Sequence, residues 1–333
     1  MRLSWTALVA ATLALPLAVL GVGAWWALVV PGRSHAGPPP TATAEEREIA
    51  ARLRAHVVAI ASAPRNVRHH AALERAAQHI ERTLQGLGYA IDRQPFTVAG
   101  RAVRNIEVTR EPLRPGLETA SLVVGAHYDS FQDSPGANDN GTGTATVLEL
   151  ARLLKDWRPE TTRVRFVLFV NEEPPYFRTP DMGSWRYAKQ LSERGERVLG
   201  MLSLETMGYY SDKAGSQEYP PPFNLVYPTI GNFLAFVGMP ASRAFLHEVM
   251  ASFRKHAAFP SVGGVAPDSV AGIGWSDHWA FREFGYPAIM LTDTAPFRYP
   301  HYHLPSDTPD KIDYAKLARV TRGIEQVVRD IAK

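Results

Sequence analysis

"RVRFVLFVNEEPPYFR", residues 163–178, decides the fold. Five consecutive apolar residues, Phe166 to Val170, leave no polar face, so a strand with one wet side is excluded. A run of that kind is covered on both faces, as at the centre of an α/β sheet. Pro174 and Pro175 cannot donate to a sheet ladder, so Glu172 and Glu173 sit where the strand leaves the sheet. Open α/β sheets bind their ligands at such strand ends. An isolated acidic pair is ordinarily solvated, so the neighbouring segments must say whether this one is part of a site.

Working outward, the same sheet gathers more strands. "YAIDRQPFTV", "RNIEVTRE", "ASLVVGAHYDS", "VLGMLSLETMGYY", "NFLAFVG" and "PAIMLTD" have strand character. Helical periodicity occurs in "EEREIAARLRAHVVAIAS", in "HAALERAAQHIERTLQGLGY", which ends at Gly86 or Gly88, in "GTATVLELARLLKDW" and in "GSWRYAKQLSERG". Further helices are expected over 241–257 and 311–332. Thr43 is placed to cap a helix starting near Ala44, with Glu46 completing a capping box. No internal repeat or second linker interrupts the pattern. The expectation is one α/β domain over 45–333, its central mixed, mostly parallel β-sheet flanked by helices on both faces.

The 333 residues carry a formal net charge of +3 with basic and acidic residues interspersed, and no basic stripe of the kind nucleic-acid binding needs. Cysteine is absent, which excludes a disulfide framework, a thiolate zinc site and a cysteine nucleophile. From Leu3 to Gly32 no residue is charged. A spanning helix needs roughly 20 apolar residues, against about 7–15 for a cleaved signal core. Residues 1–32 therefore read as a signal anchor or transmembrane helix, with Trp25 and Trp26 suited to the interface. Residues 33–44, rich in Pro, Ala and Thr, read as a flexible linker. The domain is expected to be exported, held at the membrane on its extracytoplasmic side. The alternative is secretion after cleavage near Ser34 and Ala36.

Three strand exits carry histidine or acids: His127 and Asp129 in "GAHYDS", Glu172 and Glu173 in "VNEEPP", and Glu205 in "LSLETMGYY". "PGANDNGTG" presents Asp139 in a glycine-rich loop ahead of a helix, and "YPHYHLPSDTPDK" presents His301, Tyr302 and His303. Taken singly, each has an ordinary explanation as a polar strand end or a turn. Their recurrence at exits of one sheet points to a shared site. Histidine and carboxylate without thiolate is the ligand set of a borderline metal.

The ordered set "GAHYDS", "PGANDNGTGTATVLELARLL", "RFVLFVNEEPP…MGSWRYA", "LETMGYY", "WSDHWAFREFGYPAIMLTDT" and "YHLPSDTPDKID" resembles the co-catalytic zinc aminopeptidases of peptidase clan MH, over roughly residues 60–333. Bacterial leucyl-type aminopeptidases and glutaminyl cyclases share that fold. The resemblance implies two Zn2+ ions. His127 and Glu205 would bind one, Glu173 and His303 the other, and Asp139 would bridge them. It implies Glu172 as general base and Tyr302 as an oxyanion donor, with Asp129 orienting the His127 imidazole. Neighbouring side chains on an extended segment point apart, so a kink at the strand exit would let Glu173 hold metal while Glu172 faces water. The reaction implied is hydrolysis of peptide substrates at their amino termini.

Two features depart from the family pattern. Glu205 stands where many members carry Asp, and "PPYFRTPD" makes a longer connection than in the simplest members. Tyr176, Phe177, Tyr209 and Tyr210 lie near the motifs and suggest walls for a large apolar side chain. Two other readings stay open. One is a single-zinc glutaminyl cyclase, and the other is an inactive binding ectodomain, although all five ligand positions hold competent side chains.

Overall fold

The structure, a computed structural model, describes residues 19, 21–116 and 119–333. The apolar run expected to anchor the chain falls largely on residues 1–18 and 20, outside the described residues. Among those described, no helix is long and apolar enough to cross a membrane.

Thr43 starts the first long helix, α1 (Ala44–Ile60), through the expected box: its hydroxyl accepts from the Glu46 amide while the Glu46 carboxylate accepts from its own. Helix α2 (His70–Gly86) follows. Strands β1 (Asp92–Val98) and β2 (Arg101–Arg110) then form a hairpin on Ala99 and Gly100, both at positive φ, the conformation a two-residue turn demands. The remaining strands are β3 (Ser121–His127), β4 (Arg163–Phe169), β5 (Val198–Glu205), β6 (Leu234–Gly238), β7 (Ser261–Val265) and β8 (Ala288–Thr292). All eight join one sheet in the order β1-β2-β4-β3-β5-β8-β6-β7. The pairs β3–β4, β3–β5, β5–β8 and β6–β7 are parallel, and the other three neighbours are antiparallel. The sheet is mixed and mostly parallel, as expected.

The missing polar face of β4 follows from this layering. Val164, Phe166 and Leu168 enter a large core with α1, α2, α3 (Gly143–Leu153), α5 (Arg243–His256) and α7 (Tyr314–Ile331). Val167 and Phe169 enter a smaller core on the other face, with α4 (Gly183–Glu193) and α6 (His278–Glu283). Each such side chain contributes roughly 1.5–3 kcal/mol on burial, so both faces favour the strand.

Helix α3 connects β3 to β4 through the large core, and α4 connects β4 to β5 through the small one. Because β4 and β5 flank β3 on opposite sides, the chain reverses its course across the sheet at β3. That makes the crevice beyond the carboxyl end of β3 a topological switch point.

Two elements were not expected. Strand β7, "SVGGV", carries two glycines, which weaken strand character, yet its backbone pairs with β6 along its length. Helix α6 spans six residues, too short to show a period. The stretch expected to be a flexible linker also differs, because it is tied down. Ser261 N donates to Ser34 Oγ at 2.8 Å, and Arg319 Nη2 donates to Pro40 O at 2.6 Å. Just upstream, Arg254 Nη1 donates to Pro31 O and Gly32 O, and Arg243 Nε donates to Trp26 O. A proline-rich segment leaves its carbonyls unpaired, and arginines of the folded domain satisfy them.

Candidate metal centre

The parallel register brings the strand exits together. His127 ends β3 opposite Phe169 of β4, and Glu205 ends β5 opposite Thr292 of β8. Beyond Phe169 the chain turns at Asn171, which has positive φ, and presents Glu172 and Glu173 at the same edge. Asp129 makes this turn possible. Its Oδ1 accepts from Glu172 N at 3.1 Å and its Oδ2 from Glu173 N at 3.2 Å. One carboxylate from the β3 exit thus fixes the kink at the β4 exit, which separates the two glutamates.

Asp139 sits in a wide helical turn, 137–142, that leads into α3, and it leaves helical geometry with φ −110° and ψ 96°. Its Oδ1 lies 3.4 Å from His127 Nε2, and its Oδ2 lies 3.1 Å from His303 Nε2. Each imidazole faces a second acid: Glu205 Oε2 at 3.2 Å from His127 Nε2, and Glu173 Oε2 at 3.4 Å from His303 Nε2. Glu172 Oε2 stands 3.7 Å from His127 Nε2. Glu205, which stands where many family members carry Asp, thus brings its carboxylate to His127. His127–Asp139–Glu205 and Asp139–Glu173–His303 each have donor atoms within 4.8 Å of one another, as do His127, Glu172 and Glu173.

The electrostatics follow from burial. The carboxylates of Asp129, Asp139, Glu172, Glu173 and Glu205 are all buried and outnumber the cationic groups beside them. Burial pushes Glu172 well above the usual carboxyl range, with Glu173, Glu205 and Asp277 adding to the rise against the pull of His127. Burial and Asp139 push Glu173 and Glu205 up to about 7. Against burial, hydrogen bonds to His127 and His303 hold Asp139 well below its ordinary value. His303 is raised to about 10 by Asp139 and Glu173 despite its own burial. Such a cluster is costly without compensating positive charge. Glu173 Oε1 and His127 Nδ1 are also buried with no hydrogen-bond partner among the described residues. His127 Nδ1 lies 3.5 Å from Asp129 Oδ1, so the orienting contact expected of Asp129 is longer than a strong hydrogen bond. Mixed nitrogen and oxygen donors, the orphaned atoms and the charge imbalance fit a divalent cation of the zinc type.

His303 is held by stacking. Its ring lies between Phe131, 3.9 Å away at 6°, and Tyr302, 3.9 Å away at 18°. Tyr302 faces the same carboxylates, and burial keeps its hydroxyl protonated by raising its pKa well above the ordinary value.

A profile of Peptidase family M28 matches residues 105–328. The chain belongs to that family. It is a metallopeptidase by that membership. This M28 chain is 36% identical over 270 residues to "Uncharacterized protein YfbL" of Escherichia coli (strain K12), covering 78% of this chain and 81% of that one. It is 27% identical over 233 residues to "Probable leucine aminopeptidase 1" of Trichophyton verrucosum, covering 66% of this chain and 56% of that relative's length. Among solved structures it resembles BSAP, described as a zinc aminopeptidase from Bacillus subtilis, with a TM-score of 0.66 at 18% identity over 87% of this chain and 95% of that one. At that identity the likeness is one of fold.

Several residues that build this M28 site were not singled out in the sequence. Asp307 accepts from Asn138 N at 2.8 Å and Asp139 N at 3.1 Å, and Tyr299 donates to it at 2.8 Å. Arg65, fully buried, donates to the carbonyls of Tyr128, Pro135 and Gly136, and burial lowers its pKa to about 10. Ser276 Oγ donates to Glu205 Oε2 at 2.8 Å. The Asp277 carboxylate is buried near His127 and Asp129, and burial raises it to about 7. Ser276, Asp277 and Asp307 lie inside two of the stretches that carry the family resemblance, but none was singled out there, and Arg65 has no motif.

An apolar cavity, part of it open to solvent, adjoins the centre at Glu205 and Tyr302. Its aromatic walls are Tyr219, Phe223, Tyr227, Phe236, Trp275 and Phe297, and Tyr176, Phe177, Tyr209 and Tyr210 do not line it. Tyr210 is buried instead, its hydroxyl donating to Met207 O, and Arg178 draws the "PPYFRTPD" connection to Asp268 and Gly274.

Proposed function

We propose that this M28 metallopeptidase is a zinc-dependent aminopeptidase with two metal sites that share Asp139. One observation carries the reading: two imidazoles face opposite oxygens of a single carboxylate, and each has an acid of its own. His127 and Glu205 would complete one site, and His303 and Glu173 the other. When bound there, zinc supplies Lewis-acid polarisation of the scissile carbonyl and a more acidic water.

The chain's own groups account for the proton. Glu172, buried at the strand exit with its Oε2 3.7 Å from His127 Nε2, is placed to serve as the general base. It takes a proton from the attacking water as the new C–O bond forms, then returns one to the leaving amine as the C–N bond breaks. Tyr302 keeps its proton and can donate to the developing oxyanion. Asp129, through the two amides it accepts, holds Glu172 and Glu173 apart in their separate tasks.

Peptides whose amino-terminal residue is apolar are the proposed substrates. The apolar cavity beside Glu205 supports this, as does the similarity to the Trichophyton protein named a probable leucine aminopeptidase. The domain is proposed to act outside the cytoplasm, held by the part of the uncharged run from Leu3 that precedes Trp26, since residues 26–32 dock on the domain itself. Membrane fractionation would place the chain, and loss of its N-terminus on mass spectrometry would indicate cleavage instead.

The function is tested by zinc content and turnover together. About two zincs per chain, chelator-sensitive release of aminoacyl anilides and loss of that release in Glu172→Ala are the expected results. One zinc with cyclisation of glutaminyl peptides would replace this reading with the cyclase. No metal and no turnover from folded protein supplied with zinc would leave a binding ectodomain.

A further inference from the structure

The apolar cavity has one wall from far upstream in the chain. Besides residues of the sheet and of the loops over 219–227, 271–275 and 294–302, it is lined by Leu28, at the end of a helical stretch over 21–28. That segment lies beyond the 105–328 span that the family profile covers. Its seat is built for it. A Cβ on Gly264 would lie 2.7 Å from Tyr227 Oη, 3.0 Å from Ala27 O and 3.4 Å from Leu28 Cδ2, so the segment sits close against edge strand β7 where residue 264 has no side chain. Ala27 and Val30 pack on the main core. The segment is fastened on both sides of Leu28. Arg243 Nε donates to Trp26 O at 2.6 Å with its guanidinium 4.9 Å from the Trp26 ring centroid. Arg254 Nη1 donates to Pro31 O at 2.9 Å and Gly32 O at 3.0 Å, and Ser34 Oγ accepts from Ser261 N.

We propose that residues 26–34 form a strap that closes the substrate cavity, and that Leu28 is a specificity-determining residue setting the length of apolar side chain the cavity accepts. The proposal rests on the aminopeptidase reading for the identity of the ligand, the terminal residue of a peptide. Glu205 and Tyr302 mark the reacting end of the cavity and Leu28 a wall supplied from outside the sheet. The lining between them is predominantly apolar. A long, unbranched apolar side chain is therefore the ligand whose fit Leu28 would limit.

The test compares the full zinc-loaded chain with Leu28→Trp, Leu28→Ala and a control, Val29→Trp, whose site is exposed. Anilides of alanine, leucine, 2-aminooctanoic acid and 2-aminodecanoic acid supply the length series. Leu28→Trp should lower the decanoyl-to-alanyl ratio of kcat/KM about tenfold or more. Leu28→Ala should raise it, and Val29→Trp should leave it unmoved. Calorimetry with hexylamine, octylamine and decylamine reads the wall without catalysis. Affinity should rise about fourfold per methylene until the chain meets Leu28, with the break shorter in Leu28→Trp and longer in Leu28→Ala. If wild type hydrolyses no anilide, the aminopeptidase reading fails while the amine series still reports on the wall. A ratio and a break point unchanged in Leu28→Ala, the variant least able to disturb folding, would overturn the proposal.

Discussion

Asp129 makes a contact that no motif could announce. Its neighbours in "HYDS" suggest a partner for His127, but its shorter contacts go to the amides of Glu172 and Glu173, more than forty residues later. Asp129→Asn would put an NH2 group against one of those N–H donors. Its zinc affinity should fall about 10–100-fold, measurable by competition with a chelating dye, while secondary structure stays intact. Glu172→Gln keeps the shape of the side chain and removes the base. It should retain bound zinc and lose on the order of 10²–10⁴ in kcat, a split that single-turnover assays with metal analysis would detect. At this scale the sequence displays residues with a distinctive chemistry, such as His127, Asp139 and the paired glutamates. Asp307 and Arg65 stay hidden, because their importance lies in which amides and carbonyls they meet across the fold.

Helices α1 and α2 meet through a pair of imidazoles, His56 Nδ1 lying 3.1 Å from His79 Nε2. Burial lowers the His56 pKa to about 4, with His79 and Arg52 adding to the effect. The fold therefore keeps His56 neutral, whereas the unfolded chain protonates it below its ordinary value of 6.5. The unfolded state gains protons first, so stability is full above pH 6.5 and declines as pH falls from there towards 4. The loss should be about 1–2 kcal/mol once partial exposure is discounted. Urea midpoints across that range should drop in wild type and drop less in His56→Gln. Periodicity revealed these helices and the buried strands plainly. It could not reveal β7, whose two glycines carry no apolar alternation and whose partner β6 fixes it through the backbone.

At the scale of the whole molecule, the buried acids link folding to cation binding. A metal that binds only the folded state adds about 4 kcal/mol at a thousandfold excess over its Kd. With roughly 2–4 °C per kcal/mol for domains of somewhat smaller size, chelation should lower Tm by on the order of 10 °C, and zinc should restore it in calorimetric scans. Architecture at this level was legible because a strand apolar on both faces requires helices on both sides. The docking of residues 26–34 was not, since it rests on close approach to the backbone at Gly264 and on distant arginines.

The centre draws four of its six facing groups from the exits of β3, β4 and β5, while the cavity is walled by β6, β7, β8, their loops and the strap. Chemistry and selectivity thus occupy different territories of one sheet. Over generations, mutations can accumulate in the second without endangering the first, so lineages descended from a common ancestor can exchange diets while inheriting the same reaction.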